Sequence, residues 1–179
     1  MALVRMLLVL LLFWSQPALA QVPAWTVTET GGDVQLHRSG RVQPLSRATA
    51  LTPGDAVQTG ANGRAVLARG REFVIVSPRS RIRIPAAQAQ SGGIVQMIQD
   101  LGRATYRIER RATPHFGVQT PYLAALVRGT VFTVTVGDSG SSVAVSEGRV
   151  EVVTSDGSAR HLLDPGMQAT VGASERGRI

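Results

Sequence analysis

A serine flanked by aspartate and glycine, Gly137-Asp138-Ser139-Gly140, is the kind of residue a hydrolase uses as a nucleophile. His37 and Asp100 lie upstream, in an order that could supply a base and an orienting carboxylate. A triad is recognised by geometry and not by order, and the local sequence argues for a turn instead. The tetrapeptide falls between two alternating runs, Val131 to Val136 and Val143 to Val145, where Asp, Ser and Gly are what a hairpin loop needs. The surroundings of His37 carry no catalytic motif, and the chain is too short for a double-barrel protease. His37, His115 and His161 are isolated, with no second histidine or carboxylate at ligand spacing, so no metal is expected. No glycine-rich phosphate loop precedes a helix. The expectation is a non-catalytic protein without a cofactor.

The arginines are the other chemically capable group. All 19 basic residues are arginine, against 12 acids, for a net charge of +7. Arg79, Arg81 and Arg83 alternate with Ser80, Ile82 and Ile84, which places three guanidinium groups on one face of a strand. Arg69, Arg71, Arg110 and Arg111 can lie near them. Such a face suits phosphates of lipopolysaccharide, anionic lipid headgroups or an acidic protein domain. It equally suits a solvated sheet face whose charge blocks edge aggregation.

The elements that must carry these groups are short strands. Alternating or β-branched runs recur at Val34 to Arg38, Ala65 to Ala68, Phe73 to Val76, Arg81 to Ile84, Ala104 to Glu109, Val131 to Val136, Val143 to Val145, Arg149 to Val153 and Leu162 to Val171. Turn residues separate them, among them Pro53-Gly54-Asp55, Gly60 to Gly63 and Asp164-Pro165-Gly166. The pattern predicts an all-β fold: two twisted, mostly antiparallel sheets in a sandwich or solenoid-like arrangement. Helix is a candidate only over 85–90 and 94–101, and the second segment reads equally well as a strand.

The N-terminus reads as an address. Arg5, the apolar run Met6 to Trp14, Pro17 and the small residues Ala18 to Ala20 make a secretory signal peptide, with cleavage after Ala20. The expected organisation is a signal peptide over 1–20, one β domain over 21–171 and a flexible tail over 172–179. The absence of cysteine excludes a disulfide scaffold, a thiolate metal site and a cysteine-anchored lipoprotein. Export without cysteine fits a bacterial periplasm, with release outside the cell also open. Export also sets nucleic acid aside as a partner despite the positive charge.

The run Leu51 to Ala65 (LTPGDAVQTGANGRA) resembles the opening of the FecR domain family, and Thr120 to Val134 (TPYLAALVRGTVFTV) resembles its most specific segment. Ser146-Glu147-Gly148-Arg149-Val150 and Leu163-Asp164-Pro165-Gly166 follow in the family's order. The residues that carry the likeness are Gly54, Asp55, Thr59, Gly60, Thr120, Pro121, Arg128, Gly129, Thr130, Phe132, Glu147, Gly148 and Gly166. The resemblance implies an all-β periplasmic domain. In well-known members it is joined to a membrane helix and a cytoplasmic segment that holds a sigma factor. Here a signal peptide stands in that place, so only the periplasmic binding half carries over.

Read physically, most of these residues build turns. Asp55 bonds its own turn, Thr120-Pro121 ends a strand, and Gly129 inside an apolar run marks a bulge or bend. Arg128, between Val127 and Gly129, is expected to be partly buried and paired with Glu147 across a hairpin of 127–136 with 143–152. The function expected is an exported adaptor or sensor component that binds an inner- or outer-membrane envelope protein. The partner-binding candidates are Arg79, Arg81, Arg83, Arg110 and Arg111. The alternative is an envelope structural protein that holds peptidoglycan or lipopolysaccharide by a basic face. N-terminal sequencing of the protein recovered from a periplasmic fraction is expected to begin at Gln21; a chain that still begins at Met1 removes the export reading.

Overall fold

The computed structural model describes residues 24–85 and 94–174. In chain order its strands are β1 (Thr26–Gly31), β2 (Val34–Arg38), β3 (Arg41–Pro44), β4 (Ala56–Thr59), β5 (Arg64–Arg69), β6 (Glu72–Val76), β7 (Arg81–Arg83), β8 (Val95–Arg107), β9 (Phe116–Gln119), β10 (Leu123–Val127), β11 (Val131–Gly137), β12 (Gly140–Glu147), β13 (Val150–Thr154), β14 (Arg160–Leu163) and β15 (Gln168–Gly172). No helix occurs among the described residues. Inward positions alternate with outward ones, as in β11, where Phe132, Val134 and Val136 are buried between partly exposed neighbours.

The strands form two layers. The first runs β1-β5-β6-β8-β11-β12-β15 and is antiparallel throughout. The second runs β3-β2-β4-β7-β8-β9-β10-β13-β14, and only its β8–β9 pair is parallel. The fold is therefore the expected all-β pair of sheets, and their inner faces share one apolar core.

One strand belongs to both layers. The first part of β8 pairs with β7 and β9 in the second sheet. Its continuation, from Gly102 onward, pairs with β6 and β11 in the first sheet. The turnover is at Gly102, whose φ is +82° and whose missing Cβ would lie 2.3 Å from the Ser80 hydroxyl oxygen. Only glycine combines that conformation with that approach. The buried side of the strand changes phase there, from Met97 and Gln99 to Ala104 and Tyr106. A parallel pair ordinarily needs a crossover of a dozen or more residues. Here the second half of β8 itself, with the loop to β9, is that crossover.

The bend is held from inside. Gln99 is fully buried; its amide donates to the carbonyls of Gly102 (2.8 Å) and Val134 (3.1 Å). Its oxygen accepts from the Tyr106 hydroxyl at 2.9 Å, so the two halves of one strand bond to each other across the core. Burial pushes the Tyr106 phenol well above its ordinary pKa, which keeps it a donor. Its ring stacks on Phe132 at 5.1 Å and leans on Phe116 at 6.0 Å.

One open choice is settled and two expectations are corrected. The segment 94–101, which read equally well as helix or strand, is strand from Val95, the start of β8, with Met97 and Gln99 facing inward at period two. Strands β10 and β11 are separate, with Arg128 to Thr130 making a corner between the two sheets. Gly172 closes β15 and the Ala173 amide donates to the Ser139 carbonyl at 2.9 Å, so the fold extends past 171. The other helix candidate, beyond Pro85, and the signal peptide lie outside the described residues.

Gln99→Leu leaves the Tyr106 hydroxyl buried without its acceptor and is expected to cost about 1–3 kcal/mol. Urea denaturation reads this as a lower midpoint; an unchanged midpoint would show that the bend does not depend on this bond.

Candidate binding surface

Five of the family-motif side chains, Asp55, Thr59, Thr120, Thr130 and Phe132, are turned inward. Asp55, at 2% exposure, accepts Arg38 Nε at 2.8 Å and Nη2 at 2.5 Å, the Thr52 amide at 2.6 Å and the Thr52 hydroxyl at 3.1 Å. Burial pushes its carboxyl pKa up, but these four bonds outweigh burial and hold it below the ordinary value. The Thr59 hydroxyl donates to the Ser77 carbonyl at 2.6 Å and accepts the Ser80 amide at 2.9 Å. The Thr120 hydroxyl donates to the Leu123 carbonyl and accepts the Tyr122 and Leu123 amides, which closes the turn that Pro121 opens. Phe132 is core. Gly54, Gly60 and Gly166 lie in turns, and each donates its amide to a carbonyl distant in sequence.

Gly129 explains the corner. Its φ is +147°, and an added Cβ would lie 2.3 Å from the Cα of Arg110. The loop after β8 therefore passes directly over the β10–β11 corner. Thr130 and Ile108 exchange both backbone hydrogen bonds, and Arg111 donates its amide to the Arg128 carbonyl at 2.7 Å. Gly148 touches the same corner, since its missing Cβ would be 2.4 Å from the Gly129 carbonyl oxygen. Arg128 itself is exposed, as is Glu147, and they form no ion pair. The expected buried pair is absent because the corner swings Arg128 out of the strand line.

The arginine face divides in the same way. Only Arg81 and Arg83 are on β7. Arg79 precedes the strand in a turn with φ +52°. Asp100, across from them on β8, takes Arg83 in a two-bond fork at 2.7 Å each and lies 3.6 Å from Arg81. Arg110 and Arg111 are not near this stripe; they lie at the far end of β8, beside Arg128. No acid among the described residues pairs with Arg110, Arg111 or Arg128. Arg149, on the β12–β13 turn, shares with Arg128 the wall of an open depression of about 200 Å³ whose apolar lining includes Pro114, Leu126 and Leu162. A second depression, of about 240 Å³, continues from Leu126 over Gly117, Ala124 and Gln96. The two make one shallow trough on the outer face of the second sheet.

Beneath this corner lies a buried ionic cluster that the sequence reading missed. Arg69 and Glu72 face each other across the β5–β6 turn on the inward side, with Arg69 Nε and Nη2 at 2.9 and 2.5 Å from one carboxylate oxygen. His115 Nε2 bonds the other oxygen at 2.9 Å, and the Arg69 guanidinium lies 4.8 Å from the Trp25 ring. Opposite charges flanking a two-residue turn were a local signal for the pair. Nothing local announced the histidine. The cluster is sealed from solvent, so it braces the loop base and offers no reactive group.

The remaining chemical candidates do not assemble. Asp138 and Ser139 are the two-residue loop of the β11–β12 hairpin, Asp100 is engaged by Arg83, and no hydrogen bond joins His37, Asp100 and Ser139. No group of three potential metal ligands occurs among the described residues.

Comparison with known proteins agrees with this frame. The family model described as FecR protein matches residues 55–151. Two crystal structures, at 2.50 and 1.65 Å, of a protein described as a candidate anti-sigma factor from Parabacteroides distasonis ATCC 8503 share the fold. They are 21% and 22% identical, with TM-scores of 0.57 and 0.58, covering 68% and 70% of this chain. The matches span 56% and 57% of those chains, little more than half of their length. No curated protein matches the sequence.

Since the native Asp55 pKa lies below its unfolded value, its contribution is present above the unfolded value and is lost as pH falls through the native one. Asp55→Asn is expected to lose about 2 kcal/mol at neutral pH. Its acid limb should be shallower than the parent's in denaturant titrations across the acid range; parallel limbs would mean that the carboxylate is not the linked group.

Proposed function

The chain belongs to the FecR family, and on that footing we propose that it is an exported, non-catalytic binding module that serves as adaptor or sensor component for an envelope protein in signal transduction. Family membership supports a signalling-related role and a regulatory class of protein. The family also implies interaction with other proteins, and no helix among the described residues is long and apolar enough to cross a membrane.

The observation that carries the reading is the way three buried polar motif side chains are spent. Asp55, Thr59 and Thr120 satisfy backbone and turn groups within the fold and leave no reactive group aimed at a cleft. A domain built this way acts through its surface, by loops, edges and charge. The sequence reading of Met1 to Ala20 supports export, and the absence of cysteine supports a periplasmic location. A signal would then cross the membrane through the partner.

In-cell crosslinking of an epitope-tagged full-length copy, read by mass spectrometry, tests this. One dominant inner- or outer-membrane protein is expected. Retention on sacculi or lipopolysaccharide with no preferred protein would replace the reading with a structural role in the envelope, held by the basic surface.

A further inference from the structure

Several arginines, Arg41, Arg64 and Arg79 among them, have no acidic partner among the described residues, but at the β10–β11 corner three such groups come together. On β7 the guanidinium groups share Asp100, and Arg71 and Arg160 have Glu109 and Glu151. At the corner, Arg110, Arg111 and Arg128 have no acidic partner among the described residues, and Arg149 has only an exposed contact with Asp164 at 3.1 Å. Glu147, opposite Val131 in the β11–β12 pair, is exposed and in no ion pair. Three unpaired guanidinium groups from two loops, with Arg149 from a third beside them, make a local excess of positive charge that favours an anionic ligand.

These groups are also held in place. The loop from Ile108 to His115 is pinned at its start by the Ile108–Thr130 bond pair and in its middle by the Arg111–Arg128 bond. Its end is fixed by His115, whose amide donates to the Val127 carbonyl and whose ring bonds buried Glu72. A ligand meeting such a loop need not order it first, which removes part of the entropic cost of binding. Beside the arginines the surface becomes apolar, over Leu126, Pro114 and Leu162, the last 56% exposed.

We infer that this corner docks an extended acidic segment of the partner protein, with an apolar side chain over Leu126 and Leu162 and carboxylates against Arg110, Arg111 and Arg128. The inference rests on the binding-module reading and names the surface and chemistry of its partner. The shape favours a peptide over a lipid. The depressions of about 200 and 240 Å³ are open and shallow, and would leave most of an acyl chain in water. Glu151, which lines the first depression, is already tied to Arg160, so unpaired positive charge beside the trough is found at the corner and gives the segment a direction. Planar guanidinium forks match carboxylates two bonds at a time.

The test uses the full chain and a short fluorescein-labelled peptide that carries a leucine followed by a run of glutamates, read by anisotropy. Binding should weaken with added salt. It should fall about tenfold or more in Arg110→Glu with Arg128→Glu, while Arg79→Glu with Arg83→Glu leaves it unchanged. The altered side chains are exposed, and thermal melts confirm folding; Arg111→Glu, whose fold contact is through the backbone amide, repeats the test independently. Absence of peptide binding, equal loss in both double variants, or stronger retention on phosphatidylglycerol vesicles than on the peptide would overturn the inference. If the Arg110→Glu, Arg128→Glu chain still crosslinks to the same envelope protein, the docking surface lies elsewhere and the binding-module reading stands.

Discussion

A strand that serves two sheets has to exchange its buried face for its exposed one, and β8 does so within a single bend. Every strand N-terminal to it pairs only with its own group or with β8, and so does every strand C-terminal to it. The protein is thus two halves, each contributing to both layers, zipped along one central strand. The bend needs Gly102 for its backbone and Gln99 for its interior polar groups. Without Gln99 the carbonyls of Gly102 and Val134 would each lose a side-chain donor at the bend, and the buried Tyr106 hydroxyl would lose its acceptor in an apolar core.

Side chains reinforce the same seam. Trp25 meets Phe116 edge-on at 6.2 Å, and Glu72 meets His115, in each case one residue from each half. Glu72 is therefore more than the partner of Arg69. It ties the turn of an N-terminal hairpin to the base of the loop that displays Arg110 and Arg111. Scaffold and surface are connected here by one carboxylate with both oxygens in use.

Period-two alternation made most strands legible, and with them the two-sheet fold. It failed where burial and polarity part company. In β8, Gln99 is interior while Leu101 is 46% exposed, so the segment carried a confused signal before the bend. Arg128 misled for the opposite reason: apolar neighbours suggested burial, but the backbone at Gly129 turns the chain outward. Of the expected three-arginine stripe, Arg81 and Arg83 share β7 while Arg79 falls in the turn before it, and the neutralisation of the stripe depends on Asp100, brought there by long-range pairing. The residues of the family motif were visible because they solve local turn problems. The clustering of Arg110, Arg111, Arg128 and Arg149 was not, since three loops distant in sequence have to meet before it exists.

The central position of β8 also bears on the order in which the chain emerges during synthesis. Strands β6 and β7 each leave one edge waiting for residues that come later: 104–107 for the first and 98–101 for the second. Until then the N-terminal half is two partial sheets without a common member, and Tyr106, which caps their shared interior, has not arrived. The first half would therefore gain little by folding early. The arrival of one strand would commit both layers together, and the C-terminal half could then add its strands to the two edges that β8 leaves, one in each layer.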